Sequence, residues 1–218
     1  IGETLNALKK WKHASIEGSL NQISEAKVIF IGESNYGKTH LIELLRKGTV
    51  NRQIMTTHGI ERNRIDIDGI RLNVWDLGGQ EFMRSTHQFF FTERTLYVLV
   101  TLARKERNEL NHWLNMVNQL GAKAPVLVVI NKIDLDSHDI DRRSLERDYP
   151  NIVGFVRTSI NDCADSRSLD TINELKKKIS SIVSSKELMP GVFDKRPSEW
   201  FKIKKELEKL EQNGNDFI

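Results

Sequence analysis

VIFIGESNYGKTHLIEL, residues 28–44, is the stretch whose reading decides the fold. An apolar run from Val28 to Ile31 ends at Gly32. Gly37, Lys38 and Thr39 follow, and Leu41, Leu44 and Leu45 then recur on one helical face. The pattern satisfies G-x-x-x-x-G-K-[ST], with a strand before it and a helix after it. Such a loop turns its backbone N–H groups inward on phosphate oxygens, which demands glycine where side chains would collide. Gly32, Glu33, Ser34, Asn35, Tyr36, Gly37, Lys38, Thr39 and His40 are therefore candidate nucleotide contacts. Lys38 supplies a point charge for the terminal phosphates, Thr39 a hydroxyl for magnesium, and the helix start a positive dipole end. The bland alternative is a turn that happens to contain glycine; the strand–loop–helix context argues against it.

Outward from this loop, short Val- and Ile-rich strands are expected at 27–31, 64–68, 72–75, 96–102, 126–130 and 152–156. Helical periodicity lies between them. Leu110, Trp113, Leu114 and Val117 form one stripe, and Ile172, Leu175, Ile179 and Ile182 another. Alternation of this kind predicts crossover units on a mostly parallel sheet. Residues 98–102 and 126–130 are continuous apolar runs, as strands covered on both faces require. Asp68-Gly69 joins two strands as a hairpin and makes one edge antiparallel.

Two further loops carry chemistry. Asp76-Leu77-Gly78-Gly79-Gln80-Glu81 follows the hairpin's return strand. Asp76 is placed for magnesium, Gly79 to donate its N–H to a γ-phosphate, and Gln80 to orient an attacking water. Alone, the segment reads as a strand-ending turn; paired with the first motif it does not. Asn131-Lys132-Ile133-Asp134 follows an apolar strand. The Asp134 carboxylate can accept from guanine's N1–H and 2-amino group, which adenine lacks, and an unmet charged group costs roughly 1–3 kcal/mol or more. Lys132 can lie along the base, and Asn131 can tie this turn to the phosphate loop.

These motifs in this order resemble the guanine-nucleotide-binding domain of the Ras-like small GTPase superfamily. The resemblance covers residues 25–184 and implies a three-layer α/β P-loop GTPase fold: a six-stranded, mostly parallel sheet with one antiparallel edge strand and helices on both faces. It implies GTP/GDP and Mg2+ as cofactors. TTHGI resembles the first switch, with Thr57 joining Thr39 and Asp76 on the metal. RTSIND resembles the last guanine loop, where the backbone near Ser159 and Ile160 meets the base. Gln80, Lys38 and Thr57 are the implied catalytic residues. The flanks SEAKVIFIGESNYGKTHL, WDLGGQEFMRSTHQFFFTERTLYVLV and SEWFKIKKELEKLE resemble the Roc domain of Roco proteins. That family implies a regulatory GTPase domain of a larger protein, followed by a COR dimerisation domain and often preceded by leucine-rich repeats; hydrolysis of GTP is expected to be slow for want of an arginine offered in cis. A catalytically silent nucleotide-binding dimerisation or scaffold module is the alternative.

Two departures stand out. The loop interior carries Glu33, Ser34, Asn35 and Tyr36 where many Ras-like loops have glycine, and a side chain at Ser34 crowds the approach of a catalytic arginine. Nor is an arginine obviously offered in cis: Arg84 and Arg94 read as solvated or structural. Of Phe89 to Phe91, not all can face one core, so partner contact competes with burial.

The remaining sequence bounds these readings. In 218 residues there are 33 basic and 30 acidic side chains, giving a net charge of +3 without a basic block, so no nucleic-acid footprint is expected. Cys163 is the only cysteine, which favours a reducing, cytoplasmic setting. Scattered histidines exclude a zinc-type motif, and no apolar run is long enough for a transmembrane segment. Residues 1–24 read as a helical lead-in from a preceding domain. Residues 185–218 read as a linker and then the first helix of a COR-like domain, capped by Ser198, with Trp200, Ile203, Leu207 and Leu210 on one stripe. That helix either folds back or begins a further module. The chain, opening on Ile1, reads as a piece of a longer protein, and a homodimer is among the expected assemblies.

Overall fold

A computed structural model describes residues 20–22, 24–49, 59–78, 91–103, 107–121, 124–135, 138–159 and 166–212, with positions 6, 9, 12 and 13 besides. Among these, β1 is Leu20–Gln22, β2 Glu25–Ile31, α1 Lys38–Lys47, β3 Ile60–Ile67, β4 Ile70–Leu77 and β5 Thr95–Leu102. Then come α2 Arg107–Leu120, β6 Val126–Asn131, α3 Arg142–Asp148, β7 Ile152–Arg157, α4 Ser166–Val183, β8 Lys195–Pro197 and α5 Ser198–Gln212. The chain divides into two compact units, Glu25–Val192 and the two ends taken together.

The larger unit is built on a six-stranded sheet ordered β3-β4-β2-β5-β6-β7. Every pairing is parallel except β3 with β4. That pair runs from Ile60 opposite Leu77 to Ile67 opposite Ile70. Its turn is Asp68-Gly69, with φ of 49° and 79°. Two positive φ values in succession suit the right-handed twist of a tight hairpin, which is why Asp-Gly signals one. β3 and β4 are a few residues longer than their sequence signal, because Glu61, Arg62, Asn63, Arg71 and Asp76 sit in register despite their polarity.

Alternation sends each strand's side chains to both faces. Ile29 and Ile31 of β2, Tyr97 and Leu99 of β5, and Val126 and Val128 of β6 pack in one core cluster with α2 and α3. The α2 stripe expected from sequence, Leu110, Trp113, Leu114 and Val117, is buried there. The intervening set, Val28, Phe30, Leu96, Val98, Leu127 and Val129, is equally buried. Ile172, Leu175, Ile179 and Ile182 of α4, and Leu41, Ile42, Leu44 and Leu45 of α1, are buried as well. The result is a mostly parallel α/β sheet with helices around it, the architecture that the resemblance implies. Phe91 is buried and stacks on Tyr97 at 5.0 Å, so this member of the phenylalanine run is core; Phe89 and Phe90 lie outside the described residues. Arg94 is exposed, as expected of a solvated side chain.

Residues 185–192 were expected to be linker, yet they continue the larger unit. Met189 N–H donates to the Ser185 carbonyl at 2.8 Å, Met189 and Val192 are buried, and Glu25 N–H donates to the Val192 carbonyl. Pro190 and a missing period hid a segment whose hydrogen bonds are turn-like. In the smaller unit, Leu20, Asn21 and Gln22 pair antiparallel with Pro197, Arg196 and Lys195. The lead-in therefore ends in a strand, contrary to the helical expectation at those three positions. α5 begins at Ser198, whose hydroxyl accepts from Asn21 Nδ2 at 3.2 Å. Its Trp200, Ile203 and Leu207 are 58%, 60% and 49% exposed. No helix among the described residues is long and apolar enough to cross a membrane.

Candidate nucleotide-binding site

The C-terminal ends of β2, β4, β6 and β7 carry the loops in question. The first runs from β2 into α1. Gly32 has φ of 129°, and a Cβ there would lie 2.2 Å from the Val100 carbonyl oxygen of the neighbouring strand. Gly37 is the N-cap of α1 at φ 92°, with no side-chain cap. Both glycines are thus demanded by backbone geometry. Without a side-chain cap, the first N–H groups of α1 are left for whatever lies beyond the helix end.

Lys38 curls back under the loop. Its Nζ donates to the carbonyls of Gly32 at 2.9 Å and Glu33 at 3.0 Å, and the residue is 6% exposed. Burial lowers its pKa, while the nearby Asp76 and Glu33 carboxylates oppose the shift. A buried cation in this position gains from an anion set against it. Thr39 donates its hydroxyl to Asp76 Oδ2 at 2.5 Å, joining the first turn of α1 to the end of β4. Asp76 is 1% exposed. His40, on the same turn, has its pKa lowered, first by partial burial and also by Lys132, against the pull of Glu43.

The second anchor is the turn after β6. Asn131 is 1% exposed; its Nδ2 donates to the Tyr36 carbonyl at 2.7 Å, and its Oδ1 accepts from the Thr158 hydroxyl at 2.8 Å. The predicted tie between this turn and the phosphate loop is therefore present as a buried hydrogen-bond chain. Lys132 sits at φ 57° and donates Nζ to the Asn35 carbonyl at 2.7 Å. Asp134 is exposed, and its Oδ1 accepts from the Ser159 hydroxyl at 2.6 Å. Thr158 and Ser159 follow β7, where Thr158 N–H continues the β6 pairing to the Ile130 carbonyl at 2.9 Å. Two loops 25 residues apart thus share one small network.

Sequence reading missed three contributors here. Thr158, beside the quoted Ser159, fixes Asn131. Glu109 and Trp113, both on α2, reach the phosphate loop: Tyr36 donates its hydroxyl to Glu109, and Trp113 donates Nε1 to Glu33 Oε1 at 3.1 Å. Burial and the Glu109 carboxylate push the Tyr36 hydroxyl well above the usual phenol range. A partly buried acid such as Glu109 gave no periodic signal, and Trp113 read as core alone. Thr57, Gly79, Gln80 and Ile160 lie outside the described residues, as does Arg84.

Fold and loops together define the class: a P-loop nucleotide-binding domain of the GTPase type. Residues 27–134 match the family described as Ras of Complex, Roc, domain of DAPkinase. The chain is 27% identical to a Roc-COR-CHAT protease of Runella zeae over 222 residues, 90% of this chain and 23% of that protein. Human Ras-related protein Rab-19 is 32% identical over 116 residues, 50% of this chain and 54% of the relative. A solved structure, Methanosarcina barkeri Roco2 RocCORdC bound to GDP, superposes with a TM-score of 0.72 at 33% identity, covering 87% of this chain and 57% of that one. The chain belongs to the Ras-like GTPase superfamily as a Roc GTPase domain. It spans less than a quarter of the length of the Roc-COR-CHAT relatives.

Proposed function

We propose that this domain is a guanine-nucleotide switch that hydrolyses GTP to GDP slowly and regulates a larger Roc-COR-type protein. The observation that carries the reading is the buried link from Asn131 to the Tyr36 carbonyl, which joins a guanine-type turn to a phosphate-type loop. One ligand must then be held at both ends. Asp134 selects the base by accepting from its N1–H and 2-amino group, with Ser159 orienting the carboxylate. The backbone N–H groups of residues 32–39 and Lys38 take the phosphates. The GDP-bound Methanosarcina Roco2 structure supports the same ligand class.

Magnesium suits the donor set. Thr39 and Asp76 offer hard oxygens 2.5 Å apart, and Mg2+ commonly takes one or two carboxylates with phosphate and water. When bound, the ion neutralises charge on the phosphates. Thr57 would complete the set from the first switch. In the chemical step a water held by Gln80 attacks the γ-phosphorus, the bond to the β-γ bridging oxygen breaks, and GDP and phosphate leave. Gly79 N–H would hold the γ-phosphate until then, and its loss would release both switches, an order–disorder change that a COR domain could read. Slow turnover is the expectation for a sequence in which no arginine, a group worth roughly 10³–10⁵ in rate, is obviously offered in cis.

Single-turnover GTP hydrolysis over a wide range of protein concentration tests this. Slow release of phosphate that falls further in Gln80→Leu supports the reading, and a rate per molecule that climbs with concentration adds a homodimer that completes the site. Binding without any turnover would replace the switch by a silent scaffold.

A further inference from the structure

The phosphate loop of this chain carries a carboxylate, Glu33, beside a site meant for several negative charges. The preceding residue, Gly32, is wedged against β5, and Lys38 takes the Glu33 carbonyl from beneath. What becomes of the side chain is decided by α2. Trp113, 4% exposed in the core cluster, donates Nε1 to Glu33 Oε1 at 3.1 Å. One helical turn earlier, Glu109 accepts the Tyr36 hydroxyl. Tyr36 itself is 6% exposed, with its carbonyl held by Asn131. Between them, Asn35 stands at φ 64°, in the left-handed region that asparagine tolerates better than most non-glycine residues.

α2 is itself braced. Arg107 pairs with Asp148 at the end of α3, and the Tyr149 hydroxyl donates to Asn115 at 3.2 Å. The helix is therefore a fixed platform from which two side chains hold two of the loop's non-glycine residues. A loop poor in glycine can keep a shape suited to polyphosphate only if something outside it supplies the order that glycine-rich loops obtain from close backbone packing.

We propose that α2 positions the phosphate loop, with Trp113 holding the Glu33 carboxylate against the helix and Glu109 holding the Tyr36 hydroxyl, so that an acidic loop still accepts a nucleoside polyphosphate. Glu109 and Trp113 are positioning residues; neither is assigned a contact with nucleotide. The inference rests on the guanine-nucleotide reading, and it adds a charge-specific consequence. Freed from Trp113, Glu33 repels phosphate, and it repels the more highly charged triphosphate more than the diphosphate.

The test is equilibrium binding of GTP and GDP to the 218-residue chain and its variants, with thermal melting of each nucleotide-free protein. Trp113→Phe keeps an aromatic ring in the core and removes the N–H. It should raise the GTP dissociation constant about tenfold and that of GDP by less, since hydrogen bonds to charged groups are worth about this much. The double variant Trp113→Phe, Glu33→Gln should return to within about threefold of wild type, because neutralising Glu33 removes the repulsion. A purely packing role for Trp113 would leave the double variant as weak as the single one, and that result, or unchanged binding in Trp113→Phe, overturns the proposal. Should Trp113→Phe fail to fold, Tyr36→Phe carries the test: both constants should rise about threefold, and unchanged constants overturn the anchoring by α2. Failure of the wild type to bind any guanine nucleotide would sink the functional reading itself, an outcome distinct from these.

Discussion

The two ends of the candidate site are held by different means. The phosphate end is made of backbone: Gly32 fits because Val100 leaves no room for a Cβ, Gly37 because the chain must turn left-handed into α1. The base end is made of side chains: Asn131, Thr158, Asp134 and Ser159 bond to one another across the ends of β6 and β7. On the proposed function, the contrast gives affinity and selectivity separate physical sources. Backbone N–H groups and one lysine would take phosphate without regard to the base. A carboxylate would select guanine without regard to the number of phosphates.

Mutations can break that division or sharpen it. Lys38→Met should have the largest effect, weakening GTP, GDP and any residual ATP binding alike by at least about a hundredfold, since a desolvated charge-assisted contact is lost from all of them. Competition calorimetry checks it, and a loss confined to guanine nucleotides would contradict it. Asp134→Ala should cost guanine nucleotides about a hundredfold while leaving the weak binding of ATP within about threefold, so that selectivity collapses rather than phosphate affinity. Asn131→Ala joins the two ends' fates. It strips a partner from the Tyr36 carbonyl and the Thr158 hydroxyl, and should lower the nucleotide-free stability by about 2 kcal/mol, or about 4–8 °C in melting temperature.

The smallest effect expected is one of pH. The folded-state pKa of His40 lies below its unfolded value, so the unfolded chain binds the extra proton first. Its contribution is intact above about pH 6.5 and is lost as pH falls toward the folded pKa. Replacing His40 by glutamine should flatten that part of the stability-against-pH curve, and a titration of the imidazole by nuclear magnetic resonance should place it below a free histidine's. A titration at or above the free value would contradict this.

Much of this was legible in the sequence where physics is local. The hairpin was given by Asp68-Gly69, the phosphate loop by glycines at forced positions, and the tie from Asn131 by its place after a buried strand. Helical stripes were legible only in part. α4 and α5 carry the same spacing of apolar residues, yet Ile172, Leu175, Ile179 and Ile182 are buried while Trp200, Ile203 and Leu207 are exposed. A stripe says that a face suits cover, not what covers it. The pairing of residues 20–22 with 195–197 was not legible, because its partners are far apart in the chain. Nor were the bonds from Glu109 and Trp113, each a residue with an adequate local explanation as surface or core. Tertiary contacts between individually unremarkable side chains leave no periodic trace.

The most direct measurement is displacement of labelled GDP from the wild-type chain by GTP and by ATP, in magnesium-containing buffer. The account predicts that GTP displaces at least about a hundredfold more effectively than ATP, because only guanine satisfies the Asp134 carboxylate. Equal displacement by ATP would contradict the assignment of the base end, and with it the claim that one ligand spans both loops.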